Sequence, residues 1–344
     1  MEQPVRLETE PLLGRVRVAR GLTQNTLAKQ AGISQALLSK AESGLVELDP
    51  ERAKSVAAVL EVPQPALTVP VSALSSSIVF HRKRATMPVS KANQVRAILD
   101  LTQLQVGAIL ADRRPPLKIE RTPLPENGYT TPEDIAKSLR KQLEPGVGPV
   151  QSVVATLESA GVPVVMRDLD STQIDAIFSW PADAHPLVIL SDRAPADRQR
   201  FTLAHELGHA VMHQVPSENQ EAEADRFASE FLMPARGIRE DLATVSIPSL
   251  ARLKPIWRVS MAALLRRARD LGQITESRYK SLSIEMSAAG YRKNEPVSIS
   301  SEGPALIGAV LAERLAAGHT IESLAADAHM TTEEFQTTYG GMLR

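Results

Sequence analysis

The 344-residue chain contains no cysteine. Neither a disulfide framework nor a thiolate metal site can form, so any bound metal must be held by histidine and carboxylate side chains. Long apolar runs are also missing. The longest, such as Ser55 to Leu60 and Pro186 to Leu190, fall far short of the roughly 20 residues that cross a bilayer. The opening Met1-Glu2-Gln3-Pro4 is not the basic, then apolar, then small-residue pattern of an export signal. These absences predict a soluble, cytoplasmic protein with no membrane partner. No internal repeat of fixed period is found, and a formal net charge of -1 excludes a globally basic nucleic-acid binder.

Positive charge is nevertheless concentrated locally. From Pro11 to Ala41 the only charged residues are Arg15, Arg17, Arg20, Lys29 and Lys40. This stretch reads as short helices punctuated by Gly21, Gly32 and Gly44, and Asp49-Pro50 reads as an N-cap and first helical position. Around Gly32 two helices can pack through Leu27, Ala31, Ile33 and Leu38, the arrangement in which a second helix enters the major groove of DNA. The residues it would present are Gln35, Ala36, Ser39 and Lys40, with Ser34 as N-cap beside amides that suit a phosphate, and Gln24 on the preceding helix. Gln can bond adenine through two hydrogen bonds, whereas Lys40 and Arg15 or Arg17 are expected on the DNA backbone. The basic run His81-Arg82-Lys83-Arg84 could touch phosphates or simply be solvated.

Leu22-Thr23-Gln24, Ala31-Gly32-Ile33-Ser34 and Leu38-Ser39-Lys40 closely resemble the Cro/C1-type, xenobiotic-response-element family of helix-turn-helix domains. That resemblance implies a double-stranded DNA operator as partner and leaves a homodimer on paired half-sites open.

Further along, helical patterns over residues 90–111, 132–143 and 150–160 precede three short β-branched runs, Val162 to Met166, Ile174 to Phe178 and Leu187 to Leu190, which predict strands. Pro195 opens an amphipathic helix through about His213, and another is expected from Ser217 to Leu232, stopped by Pro234. Helices on one side of a small sheet give an α+β domain. Everything beyond Pro248 reads as helical, and the basic helix around Trp257 to Ala268 could be a packing element or a second nucleic-acid contact. The expected division is residues 1–65 for DNA binding, 66–128 as linker and helical connector, 129–243 for a metallopeptidase domain and 244–344 as a helical C-terminal region.

The metallopeptidase reading rests on His205-Glu206-Leu207-Gly208-His209. Histidines four apart on a helix share one face and can bind one ion. Glu206, one position round, can act as general base on an attacking water. A catalytic zinc needs a third protein ligand. Glu221 and Asp225 lie one turn apart on the next helix, and this Glu-x-x-x-Asp order resembles the gluzincin pattern, which implies Glu221 as the ligand and Asp225 as the partner that orients an imidazole, with Glu223 held in reserve. His213 extends the polar stripe by one turn, either toward substrate or as a helix-end residue. Leu203, Leu207, Ala210 and Val211 face the core, and Gly208 implies a close backbone approach.

Phe201 to His209, Glu221 to Ala228 and Phe231-Leu232-Met233-Pro234 together resemble the ImmA/IrrE family of metallopeptidases over roughly residues 130–240. That resemblance implies a gluzincin-like fold, one zinc ion (Zn2+), and cleavage of a partner, a transcriptional repressor, in a stress or mobile-element response. The alternative expectation is a DNA-binding repressor whose metal-containing domain senses a ligand or partner without cleaving it.

Overall fold

The computed structural model describes residues 9–72, 87–125, 128–169, 174–181, 184–191, 193–215 and 217–343. The basic run at 81–84 lies outside them.

The N-terminal unit starts with β1 (Thr9–Pro11), followed by α1 (Leu12–Ala19), α2 (Gln24–Ala31), α3 (Gln35–Glu42) and α4 (Pro50–Leu60). Local chemistry fixes these boundaries. Thr23, Ser34 and Asp49 cap α2, α3 and α4 by accepting the backbone N–H of Thr26, Leu37 and Arg52, and Gly32 ends α2 in the left-handed conformation (φ 69°). Leu27, Leu38, Val56 and Leu60 are wholly buried between these helices. The unit continues past residue 65: Ala66 and Leu67 join the same core, and β2 (Pro70–Ser72) pairs antiparallel with β1.

A 22-residue helix, α5 (Val89–Leu110), is shared between two cores. Leu101 packs into the N-terminal core, while Val95, Leu99, Val106 and Ile109 pack toward the central sheet. The two regions are thus joined through a continuous helix with apolar contacts on both sides.

The central region holds α6 (Pro132–Leu143), α7 (Val153–Ser159), β3 (Val164–Met166), β4 (Ala176–Ser179), β5 (Leu187–Leu190), α8 (Ala196–Met212), α9 (Gln220–Leu232) and α10 (Ala235–Ile238). The sheet order is β3-β5-β4, with β3 parallel and β4 antiparallel to β5. Both faces are covered, which corrects the expectation of helices on one side. Side chains alternate along each strand. Phe178, Val188 and Leu190 enter the core built with α6, α7, α8 and α9. Ile177, Leu187 and Ile189 enter a second core with α5 and the C-terminal helices.

Those helices are α11 (Ile247–Trp257), α12 (Met261–Asp270), α13 (Glu276–Ala288), α14 (Leu306–Ala316), α15 (Ile321–Asp327) and α16 (Thr332–Tyr339). Ser260 caps α12 as its position before Met261 suggests. The helix buries Met261, Leu264 and Leu265 in the α8/α9 core, so packing accounts for it. The region is not helical throughout. Residues 291–305 form an irregular strap, pinned by two carboxylates. Glu295 accepts from Lys254 (2.6 Å) and the Met261 amide (3.0 Å), and Glu302 accepts from Ser152, the Val154 amide and Arg200. Among the described residues, no helix is long and apolar enough to cross a membrane.

Candidate functional site

Helices α8 and α9 lie against each other, and glycine permits the approach. A Cβ on Gly208 would stand 2.9 Å from Phe227 Cδ1, which is why the packed helix interior has none there. Leu203, Leu207, Ala210 and Val211 are buried in the core as their spacing indicates. The opposite stripe of α8 carries His205, Glu206, His209 and, at its C-cap, His213.

The imidazoles converge. His205 Nε2 and His209 Nε2 are 3.0 Å apart, and the Glu221 carboxylate reaches both, at 3.7 Å from His205 and 3.4 Å from His209. One donor atom from each of the three lies within 4.8 Å of the others, an arrangement that could hold a metal ion. Two nitrogen donors and one carboxylate oxygen match the preference of a catalytic zinc, which keeps a fourth position open. Half-buried Glu206 follows His205 on the same helix without being part of this group.

Each imidazole is fixed by its other nitrogen. His205 Nδ1 lies 2.9 Å from Asp225 Oδ1, and Asp225 Oδ2 accepts from Arg266 Nη1 at 3.1 Å. His209 Nδ1 lies 2.8 Å from His213 Nδ1, and His213 Nε2 lies 3.0 Å from Glu223 Oε2. If His209 directs the Nε2 lone pair toward a metal, its Nδ1 carries the proton and donates to His213, which then donates from Nε2 to Glu223. The tautomers form one consistent chain with neutral imidazoles. Burial fits this, holding His213 below the ordinary histidine pKa against the opposing pull of Glu223.

The sequence placed these residues unevenly. Glu221 lies beside both histidines and Asp225 beside His205 Nδ1, whereas Glu223 points to His213 and is not in the His205/His209/Glu221 group. His213 is at the helix end, yet its side chain is engaged on both nitrogens. Arg266 is supplied from α12, far along the chain, and only its basic helix face was visible in advance.

In the N-terminal unit, Gln35, Ala36 and Lys40 are exposed on α3, and Ser39 is half-buried. Gln35 Nε2 donates to Gln24 Oε1 at 2.7 Å, and Gln24 Nε2 donates to Glu42 Oε2 at 2.7 Å. Glu42 is in turn held by Arg17, which also donates to the Leu22 carbonyl. Arg15 pairs with buried Asp100 of α5 at 2.5 Å. The expectation that Arg15 or Arg17 holds the DNA backbone is therefore corrected: both are committed to carboxylates inside the protein. Ser34 spends its side chain on the Leu37 amide.

A helix-turn-helix unit followed by a mixed α/β domain with a His-His-Glu group defines a regulator carrying a protease-like domain. Comparison with family models agrees in order and position. Residues 13–63 match the family described as Helix-turn-helix, and residues 157–269 match the IrrE N-terminal-like domain, the peptidase family designated M78. The second match contains every residue of the candidate metal centre and extends through Arg266. No curated protein matches the chain.

Proposed function

We propose that the chain is a cytoplasmic, DNA-binding transcriptional regulator with a zinc-dependent metalloendopeptidase domain. In this reading it cleaves a partner protein, a transcriptional repressor, in a stress or mobile-element response. The observation that carries the reading is the convergence of His205 Nε2, His209 Nε2 and the Glu221 carboxylate, with Glu206 beside them outside the ligand group.

His205, His209 and Glu221 would hold the ion, which when bound supplies a Lewis acid for a peptide carbonyl. Asp225 orients His205, and His213 with Glu223 orients His209. Glu206 takes a proton from the attacking water and returns it to the leaving amine. The HExxH-then-carboxylate order supports a gluzincin-like arrangement. In the N-terminal unit, Gln35 and Ser39 read base edges, with Gln24 fixing the Gln35 amide and Lys40 near phosphate. The division we propose is residues 1–65 for DNA binding, with Ala66, Leu67 and β2 completing its core, the rest of 66–128 as connector, 129–243 as the ligand-bearing peptidase domain and 244–344 as helices that complete its cores.

Glu206→Gln is the direct test, since it preserves size and hydrogen-bonding shape but cannot accept the proton. Cells carrying it should accumulate the uncut partner and fail to induce the repressed genes, while the purified variant keeps about one zinc per chain and still binds DNA. Normal partner loss and normal induction would defeat the peptidase reading and favour a metal-containing sensor instead. His205→Ala with His209→Ala should empty the metal site.

A further inference from the structure

Helix α12 meets α9 through two consecutive arginines, and each grips a carboxylate of that helix. Arg267 is buried and holds Glu230, which also accepts the Ala235 amide, while its Nε donates to the Met233 carbonyl at 2.9 Å. Arg266, one position earlier, donates from Nη1 to Asp225 Oδ2 at 3.1 Å. Its Nε lies 3.9 Å from Asp270 Oδ2, one turn on, and Asp270 is held more closely by Arg269 at 2.8 and 3.0 Å. The buried pair, together with Met261, Leu264 and Leu265 in the core, sets where α12 sits on α9. The exposed pair takes its place from that docking.

Asp225 is thereby engaged on both oxygens. Oδ1 lies 2.9 Å from His205 Nδ1 and Oδ2 accepts from Arg266, with the Asp225 side chain only 13% exposed. The terminal torsion of an aspartate is broad, so one hydrogen bond leaves the carboxylate free to turn and a second on the opposite oxygen stops it. The arginine nearer in sequence does not supply that second bond. Arg226, the next residue on α9, is turned to α6 and holds Glu133 at 2.8 and 2.7 Å. The guanidinium that reaches Asp225 comes from α12.

Arg266 acts on the centre in two opposed ways. Its positive charge repels a cation held by His205, whereas its hydrogen bond to Asp225 fixes the ring that presents Nε2. The first effect is weak, because the Arg266 side chain is 45% exposed and solvent and salt screen a charge that stands beyond both Asp225 and His205. The second is a direct contact, and groups that orient a ligating imidazole govern metal affinity strongly. Orientation therefore outweighs repulsion. An ion pair as exposed as Arg266 with Asp225 adds little to the stability of the fold, so its removal tests the centre without unfolding the protein.

We propose that Arg266 is a positioning residue of the metal centre: by pinning Asp225 it fixes the ring of His205, so that metal retention depends on α12 as well as on α8 and α9. The inference rests on the metal-centre part of the peptidase reading, and its test measures metal binding without any cleavage.

The probes are Zn2+, titrated into the metal-free full chain against a chromophoric chelator, and Co2+, whose visible absorption reports the geometry of its ligands. Asp225→Ala should weaken zinc binding about 10- to 100-fold, and Arg266→Met, which keeps the apolar stem, about tenfold. Arg266→Lys should restore part of that loss. In the Asp225→Ala background, Arg266→Met should cost nothing further, because the arginine acts through Asp225. The Co2+ spectrum of Arg266→Met should move toward that of Asp225→Ala, while the melting temperature of the metal-free protein stays close to that of the parent. Unchanged zinc affinity in Arg266→Met overturns the proposal. So does a rise in affinity, which would make repulsion the larger effect, or an equal loss with and without Asp225, which would place the action elsewhere. A parent chain that holds zinc tightly while Arg266→Met matches it removes this inference alone, whereas a parent that binds neither ion removes the metal-centre reading with it.

Discussion

His213 Nε2 lies 3.0 Å from Glu223 Oε2, while His213 Nδ1 lies 2.8 Å from His209 Nδ1, so a carboxylate on α9 steadies a candidate metal ligand through an intervening imidazole. His205 is steadied directly by Asp225. Partners of this kind fix the tautomer and angle of a ligating ring, and their loss typically costs about 10- to 100-fold in metal affinity. We expect His213→Ala to weaken zinc binding by that amount, Glu223→Gln to weaken it less, and His213→Gln to restore part of it. Competition against a chromophoric chelator measures all three. Equal affinity across the set would reduce the relay to a packing feature, whereas a merely structural role would lower the melting temperature of the metal-free protein and leave the affinity order unchanged.

The packing that brings α9 against α8 gives a second expectation. A methyl group at position 208 would meet the Phe227 ring at 2.9 Å and its Cβ at 3.2 Å. Overpacking of this kind costs about 1–3 kcal/mol, while the gain in helix propensity over glycine is about 1 kcal/mol. Gly208→Ala should therefore be destabilising on balance, with zinc affinity falling as α8 and α9 separate. Chemical denaturation of the metal-free and zinc-loaded variant reads both effects. A more stable variant would show that Phe227 can turn aside.

Much of this architecture was legible because periodicity and end signals are local. Pro132 to Leu143 and Leu187 to Leu190 appear with the boundaries their patterns suggest, and Ser34, Asp49 and Ser260 cap where expected. Glu221 and Asp225 were readable because one helical turn separates them. What stayed hidden depends on contacts between distant segments. The choice between Glu221 and Glu223 turns on how α9 is rotated against α8. The coverage of both sheet faces depends on α5 and α14 to α16 arriving from opposite ends of the chain. The strap after α13 fell within the region read as helical, and the contacts that pin it, Lys254 with Glu295 and Arg200 with Glu302, join segments far apart in the sequence. Arg15 and Arg17 were likewise indistinguishable from phosphate contacts before Asp100 and Glu42 were placed.

That last correction can be tested on DNA. Arg17 binds Glu42 through two nitrogens, with the paired side chains only 14% and 10% exposed. Removing it leaves a carboxylate with little solvent, at a cost of about 2–4 kcal/mol. Arg17→Ala should lower the melting temperature of the protein and, at temperatures where the domain remains folded, leave the salt dependence of DNA binding unchanged. By contrast Lys40→Ala, on the exposed face of α3, should reduce the slope of log affinity against log salt by about one unit. A slope reduced by Arg17→Ala instead would return that arginine to the DNA backbone.

The exposed Gln35 amide is held by Gln24, and Gln24 by Glu42, so the orientation of the group we propose as base-reading is set within the free protein. Gln35 Oε1 and its amide can then meet the paired acceptor and donor on an adenine edge, a contact worth about 1–3 kcal/mol of discrimination. Gln35→Ala with Ser39→Ala should remove that discrimination and leave weak non-specific binding intact, because the phosphate contacts are untouched. Gln24→Ala keeps the reading group but frees its rotamers, so affinity for the preferred site should fall less than in the double variant while tolerance of substituted bases rises. Gel-shift titrations against genomic fragments, then against single-base variants of the selected site, separate the two effects. A wild-type protein with no preferred fragment, or a Gln24→Ala variant with unchanged base tolerance, would argue that α3 is a solvated helix whose Gln35-Gln24 pair serves only the fold.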